Sequence, residues 1–413
     1  MTMTTASLPV ACLVGGSGVR LWGLDGAERL RRQLRAIGVA RIAAEGTLPS
    51  DASVLLLRAD YLFDDRTLRD LVARPGTVLV PEGAGVNAAA AAAHVHGDAV
   101  RVAAAALRGE TAATAIPSAT VCTPSTLSSV YVRELLQAAP PMLLPIRGER
   151  RAALERYLFD GAYKGVTDLV TKWVWPAPAR QVVRLCAWLG IGPNAVTATS
   201  LVLVLVVIAL FAGAHFGVGL LLAWTMTFLD TVDGKLARVT VTSTPAGHYF
   251  DHVMDLIHPP FWYLAWAYGV AGGLPAFGEF TPLLLIIVVG YIAGRLAESF
   301  FKWYVSGFSM FTWRPVDSYI RLIMARRNPN LLWLTGFTLG GNPQGGLVAV
   351  AVWTVVWSLV LWLRFAQGAA ARARHGPLRP WLAELEGDLT QLPPYARPFA
   401  PNLSTVRQLV QCP

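Results

Sequence analysis

Charge is scarce in this chain. Of 413 residues only 15% are Asp, Glu, Lys or Arg, while 54% are hydrophobic, and the mean hydropathy is +0.46. Soluble proteins carry roughly 25% charged residues, so the balance excludes an ordinary soluble protein throughout. Cysteine is scarce too: Cys12, Cys122, Cys186 and Cys412 lie far apart and form no Cys-x-x-Cys pair. That excludes a zinc ribbon and a disulfide framework, and points to a reducing compartment. Lysine is missing from everything before Lys164. Met1 to Ala11 lack the basic and long apolar regions of a signal peptide, so the N-terminus is expected to stay inside. No nucleic-acid module is present, which leaves anionic lipid or a phosphate-bearing substrate to account for the net charge of +9.

What is present is unevenly spread, and the length suggests two or three domains. Residues 1–146 alternate short apolar runs with helical spacing. Val10–Val14 leads into Gly15-Gly16-Ser17-Gly18, Glu28–Ile37 reads as a helix, Val54–Leu57 as a buried strand, Asp64–Leu71 as a helix and Thr77–Val80 as a strand. This pattern predicts a small α/β unit with a largely parallel sheet; Ala88–Ala93 reads only as low complexity. In 147–192, Tyr157, Tyr163, Trp173, Trp175 and Trp188 mix with Arg150, Arg151, Lys164, Lys172 and Arg180. That mixture suits an amphipathic connector at the headgroup level, broken at Trp175-Pro176-Ala177-Pro178; a solvated connector is the alternative.

Residues 193–368 carry six apolar stretches: Ala195–Ala214, Phe216–Val232, Phe250–Val270, Thr281–Phe301, Pro329–Gly341 and Gly346–Phe365. A span needs about 20 residues, so the second and fifth are short. Gly213–Gly217, Ala271–Pro282 and Gly340–Gly345 contain no Lys or Arg. Lys235 and Arg238, then Lys302, Arg314, Arg321, Arg326 and Arg327, then Arg364, Arg372 and Arg374, fill the other connections. By the positive-inside rule both termini and the α/β unit face the cytoplasm of an inner-membrane protein. The Pro-rich stretch 369–413 reads as a cytoplasmic tail with little fixed structure.

Between Asp230 and Asp255 the chain reads DTVDGKLARVTVTSTPAGHYFDHVMD. Asp230 and Asp233 are three apart, Asp251 and Asp255 four apart, so each pair shares a helix face. A charge well inside a membrane costs roughly 2.5–3.5 kcal/mol, and four crowded carboxylates repel one another. Hard divalent cations, Mg2+ or Mn2+, remove both problems. Gly234 would let a pyrophosphate approach the backbone, Ala237 keeps the face small, Arg238 offers a phosphate-pairing guanidinium, and Gly247 would allow close helix packing.

This run resembles the signature of the CDP-alcohol phosphotransferases: Asp230, Asp233, Gly234, Ala237, Arg238, Gly247, Asp251 and Asp255 match its fixed positions, and Pro193-Asn194 with Thr197 looks like the start of that family's first helix. The resemblance covers about Gly190–Phe365. It implies a six-helix membrane fold, a likeness that extends to homodimers. It also implies CDP contacts from Asn194, Thr197, Asp230, Gly234, Ala237, Arg238 and Gly247. Two metal ions would be held by Asp230, Asp233, Asp251 and Asp255, with Asp255 taking the proton from an acceptor hydroxyl while CMP leaves.

Arg321, Arg326 and Arg327 are either positive-inside charges or a pocket for an acceptor that already carries a phosphate. Arg295 and Glu298 lie within an apolar stretch, where ionisable residues are functional candidates or a structural pair. The glycine loop and Asp60 resemble a sugar-nucleotide nucleotidyltransferase, and the two-part layout resembles the bifunctional enzymes of di-myo-inositol phosphate synthesis. A CDP-inositol donor with an inositol phosphate acceptor is therefore expected; a phospholipid synthase using CDP-diacylglycerol is the alternative. Nucleotidyltransferases place a Lys after the loop. Here Arg29, Arg31 or Arg32 would have to replace it, a poor positional substitute, so the α/β unit is expected to be degenerate and to serve docking or regulation. A transporter would show paired broken helices, and no internal repeat supports one.

Overall fold

The computed structural model describes residues 8–48, 52–85, 88–385 and 392–399, without the side chains of 245, 246, 248, 250–252 and 255. Its N-terminal part is a six-stranded sheet formed by β1 (Val10–Val14), β2 (Ile42–Ala43), β3 (Ser53–Arg58), β5 (Thr77–Leu79), β6 (Ala92–His96) and β7 (Thr120–Cys122), in the order β2-β1-β3-β6-β5-β7. A separate strand, β4 (Tyr61–Phe63), pairs with β8 (Leu143–Pro145). The β1–β2, β1–β3 and β5–β7 ladders are parallel, whereas β6 runs antiparallel to both β3 and β5. The sheet is therefore mixed, and its reversed central strand begins in the alanine patch that reads as low complexity. Ala90, Ala91, Ala92 and Ala93 are fully buried: with no side-chain bulk they fit between the two apolar layers. Helices α1 (Gly26–Ala36), α2 (Asp65–Val72) and α3 (Ala99–Arg108) cover the sheet, with Asp25 and Asp64 capping the first two by accepting from Glu28 N and Arg66 N.

The connector folds as α4 (Arg151–Gly161), a π turn at Val170–Val174 and α5 (Pro176–Leu189). The proline pair does not end helical structure here. Pro176 and Pro178 stand in the first turn of α5, where their missing N–H groups would have no partner in any case. Trp173 and Trp188 are exposed at 58% and 79%.

Among the described residues four helices are long and apolar enough to cross a membrane: α6 (Pro193–Ala212), α7 (Phe216–Val239), the run Leu274–Ser306 that contains α9 (Thr281–Phe300), and α12 (Pro343–His375). The protein is an integral membrane protein. Between them, α8 (Pro245–Ala271) has 27 residues, while α11 (Arg327–Leu339) has 13, or about 20 Å of rise, too short to cross alone. A short helix, α10 (Pro315–Ile323), precedes α11.

Helix α7 runs about two turns past the expected Val232, because DGKLARV is helix-compatible throughout. Helix α8 contains Pro259 and Pro260. Pro260 cannot donate to the Leu256 carbonyl, and the Tyr291 hydroxyl donates there instead at 3.0 Å. The membrane core gathers Phe211, Trp262, Trp266, Leu334 and Leu347. The described residues beyond α12 differ from the expected tail with little fixed structure: Trp381, Leu382, Ala396 and Phe399 are buried against Trp313 and Leu322. The Trp381 indole donates to Ser318 Oγ at 3.0 Å. The large apolar side chains between the prolines bury enough surface to hold this stretch on α10.

Candidate active site

Asp230 and Asp233 stand near the C-terminal end of α7, one turn apart. Asp233 is buried at 5% exposure. Its Oδ2 accepts a 2.6 Å bond from the Thr197 hydroxyl on α6. Thr197 also donates to Pro193 O at 3.1 Å, so the first turn of α6 is tied to the carboxylate. The sequence dictates this meeting, because Pro193 at the first position of α6 fixes where the helix starts. Asn194, one residue on, is exposed. Asp230 Oδ2 accepts from the guanidinium of Arg327 at the start of α11.

The glycines divide. A Cβ on Gly234 would lie 3.1 Å from Arg238 Nη2, so the Arg238 guanidinium rests over that bare backbone. Ala237 keeps the same surface low. Gly247 is exposed, and a Cβ there would meet only Thr244 Oγ1. Its N–H is bonded to that capping hydroxyl at 3.0 Å. Gly247 thus serves the N-cap of α8, in contrast to the close packing expected of it; Gly269 makes that contact instead. Asp251 and Asp255 fall in the first three turns of α8, and their side chains lie outside the described residues.

Two further groups join the site that the sequence reading passed over. Lys235, 4% exposed, donates to Ala162 O at 3.2 Å and stands 3.7 Å from the Tyr163 ring centroid. Burial pushes the Tyr163 phenol up, so the ring stays neutral and presents its π face to the ammonium. Arg238 Nε donates to the same Ala162 carbonyl at 2.8 Å. Asp168, from the connector, accepts from Asn328 Nδ2 at 2.9 Å and from Thr171 Oγ1 at 2.8 Å. The signal for Asn328 was legible: a polar Asn-Pro-Asn run opens an otherwise apolar helix.

Arg321, Arg326 and Arg327 line one cavity of about 90 Å³ with Asp168, Tyr291 and Asn328. The three expected acceptor arginines are therefore together. Arg295 pairs with Glu298 at 2.7 Å, and Glu298 pairs in turn with Arg326 at 2.5 Å. Arg295 thus reaches the cavity through an ion-pair chain. Beside this cavity, through the adjacent residues Asp168-Leu169 and Asn328-Pro329, lies an apolar groove of about 660 Å³ that also includes Trp333, Phe337 and Trp353.

Asp230 and Asp233 offer only carboxylate oxygens, the donor type that hard divalent cations take; here Asp230 is paired with the Arg327 guanidinium. Among the described residues no cluster of three or more His, Cys, Asp or Glu forms. The donor chemistry fits a divalent cation.

The membrane unit thus brings together two aspartates one turn apart, a threonine from the neighbouring helix and an arginine-lined cavity. Residues 191–363 match the family model for CDP-alcohol phosphatidyltransferase, and this stretch is a domain of that family. The chain is also similar to cholinephosphotransferase 1 of Gallus gallus, 32% identical over 136 residues that make up 30% of this chain. The match spans 39% of that relative's length. The family is one of phosphotransferases that use a CDP-alcohol donor and a hydroxyl acceptor in a membrane, generally with divalent metal.

Proposed function

We propose that this protein transfers a substituted phosphate from a CDP-alcohol to an acceptor hydroxyl and releases CMP, with CDP-inositol as donor and an inositol phosphate as acceptor. The observation that carries the reading is the Arg327–Asp230 ion pair, which joins the carboxylate end of α7 to the cavity of Arg321, Arg326 and Arg327. Asn194, Thr197, Gly234, Ala237, Arg238 and Gly247 contact the CDP half, and Arg295 supports the acceptor side. Asp230, Asp233, Asp251 and Asp255 hold two Mg2+ or Mn2+ ions, which when bound offset charge on the attacking and leaving oxygens. Asp255 accepts the proton of the acceptor hydroxyl. That oxygen bonds to the β-phosphorus, the bond from this phosphorus to the bridging oxygen breaks, and CMP departs with the electron pair.

We infer the matching layout: a cytoplasmic α/β unit at 1–146, an interfacial connector at 147–192 and a six-span membrane unit at 193–368. The exposed Trp173 and Trp188 support the connector's place at the headgroups. Both termini and the site then face the cytoplasm at the inner membrane, and the protein works as a homodimer. A second reading, a phospholipid synthase with a CDP-diacylglycerol donor, is favoured by the apolar groove beside the arginine cavity.

The test is CMP release by the purified chain from CDP-inositol, CDP-choline and CDP-diacylglycerol, each with inositol 1-phosphate, inositol or diacylglycerol, with and without Mg2+. Mg2+-dependent release is expected, fastest with CDP-inositol and inositol 1-phosphate. Asp255→Asn should keep the melting temperature and lose about 10²-fold or more of the rate. Normal turnover by Asp255→Asn overturns the assignment, and fastest release from CDP-diacylglycerol selects the second reading.

A further inference from the structure

The end of α7 has an unusual partner. A helix leaves its last carbonyls without intrahelical donors, and at the end of α7 two of these carbonyls are taken by side chains some 200 residues earlier in the chain. Arg29 Nη2 on α1 donates to Val239 O at 2.6 Å, over a separation of 210 residues. Arg32 Nη1, one turn further along α1, donates to Thr240 O at 2.9 Å. Arg29 is only 3% exposed and also donates to Leu21 O at 3.3 Å. Glu28 fixes Arg32 at 2.9 Å. A cation at a helix C-terminus is favoured by the partial negative charge there, and that attraction offsets the cost of burying the Arg29 guanidinium, which burial brings down to about 10.

The contact extends beyond two hydrogen bonds. Trp22 follows the glycine loop with a left-handed backbone, φ 52°, a conformation that costs energy for a bulky residue. Packing holds it there: its ring shares one core with Phe159, Val232, Leu236 and Val239, and its indole donates to Glu155 O at 2.9 Å. From the other side, Ala162 O takes Lys235 and Arg238. The segment 232–240 is thereby bracketed by the α/β unit and the connector.

Meanwhile three of the groups a nucleotidyltransferase would use are committed elsewhere. Asp60 accepts both bonds of a fork from Arg58, at 2.6 and 2.9 Å, and Arg29 and Arg32 face α7.

We propose that the α/β unit is a positioning clamp: through Arg29 and Arg32 it fixes the C-terminal end of α7, and with it the setting of Asp230, Asp233, Gly234 and Arg238 for reaction. This rests on the phosphotransferase reading of that site. Arg29 and Arg32 touch no substrate in this scheme; they act through the helix. Displacing reacting groups by about 1 Å can cost on the order of 10²-fold in rate, so loss of the clamp is expected to lower kcat rather than donor KM alone.

The test compares the full-length wild type with Arg29→Gln, Arg32→Gln and Arg35→Gln, the last an exposed side chain on the same helix. Two quantities are measured: amide hydrogen exchange over residues 232–242, and CMP release from the CDP-inositol, CDP-choline and CDP-diacylglycerol panel as Mg2+ is varied. Arg29→Gln should speed exchange in that segment about tenfold, lower kcat about tenfold and raise the Mg2+ needed for half activation, with Arg32→Gln intermediate. Arg35→Gln should match the wild type. Unchanged exchange in Arg29→Gln overturns the clamp, as does faster exchange with unaltered kcat and Mg2+ dependence. If Arg29→Gln does not fold, Arg32→Gln, with its more exposed side chain, decides by the same two quantities. A wild type that releases no CMP from any donor refutes the phosphotransferase reading instead, and the exchange comparison then decides the clamp.

Discussion

Arg29 and His94 show how buried polar groups in the α/β unit find hydrogen-bond partners far along the chain. His94 is 2% exposed; its Nδ1 is 2.9 Å from Leu71 O and its Nε2 is 2.8 Å from Ser53 Oγ. The carbonyl can only accept, so the proton is on Nδ1 and the ring is neutral. Burial, opposed by the hydrogen bond to Leu71 O and aided by repulsion from His96, holds its pKa below the ordinary 6.5. Between that lowered value and about 6.5 the unfolded chain binds more protons than the folded one, so stability rises with pH across this window and is lost on acidification through it. Amide protection factors in β3 and β6, corrected for the intrinsic exchange rate at each pH, should therefore fall as pH drops below about 6.5, and His94→Gln should flatten the response. Equal pH dependence in wild type and variant would show that His94 is not the responsible group. At this scale the sequence exposed the carboxylates and the arginines but hid the partners. Nothing in the spacing of Asp230 and Arg327 joins residues 97 positions apart. Arg29 looked like a phosphate ligand because its distance from the glycine loop is local, while its true acceptor is not.

Among the elements, the long apolar helices were legible because one property, an unbroken run of nonpolar side chains, decides them. Less was legible where backbone fit decides. The strand at Ala92–His96 starts with residues of low strand propensity, yet it is central, because only small side chains fit there. The carboxylate helix outlasts its apolar stretch, and the residues after α12 pack through a few large side chains set among prolines. Close approach of helices is decided in the same way. Gly269 on α8 faces the end of α6, where a Cβ would fall 2.0 Å from Phe211 O, a backbone atom that cannot move without its helix. Gly269→Ala should push α8 from α6, cost about 1–3 kcal/mol and lower activity as well, since α8 carries Asp251 and Asp255. Gly278→Ala, in open space with an ordinary backbone conformation, is the comparison. Thermal unfolding in detergent should give a clearly lower midpoint for the first and an unchanged one for the second. Equal midpoints would mean that the two helices are not in the contact described.

Over the whole molecule, the α/β unit and the membrane helices share a core and do not merely share a chain. Trp22 packs with Val232 and Leu236, Arg29 and Arg32 end on α7, and Tyr131 of the N-terminal part has its hydroxyl 3.5 Å from Thr312 Oγ1 in the loop beyond α9. We propose that a unit committed in this way does not carry out nucleotidyl transfer to a sugar phosphate. No lysine precedes Lys164 in the chain, Arg29 and Arg32 of α1 hold carbonyls of the membrane unit, and Asp60 is paired with the Arg58 fork. The full-length protein, supplied with CTP, inositol 1-phosphate and Mg2+, should release pyrophosphate no faster than a sample without protein, measured by a pyrophosphatase-coupled phosphate assay. Arg58→Ala should not restore release, because opening Asp60 leaves Arg29 and Arg32 still held on α7. Pyrophosphate release well above background by the wild type would mean that Arg58 and Arg29 leave these positions during turnover, and that the α/β unit makes the donor for the membrane site it holds.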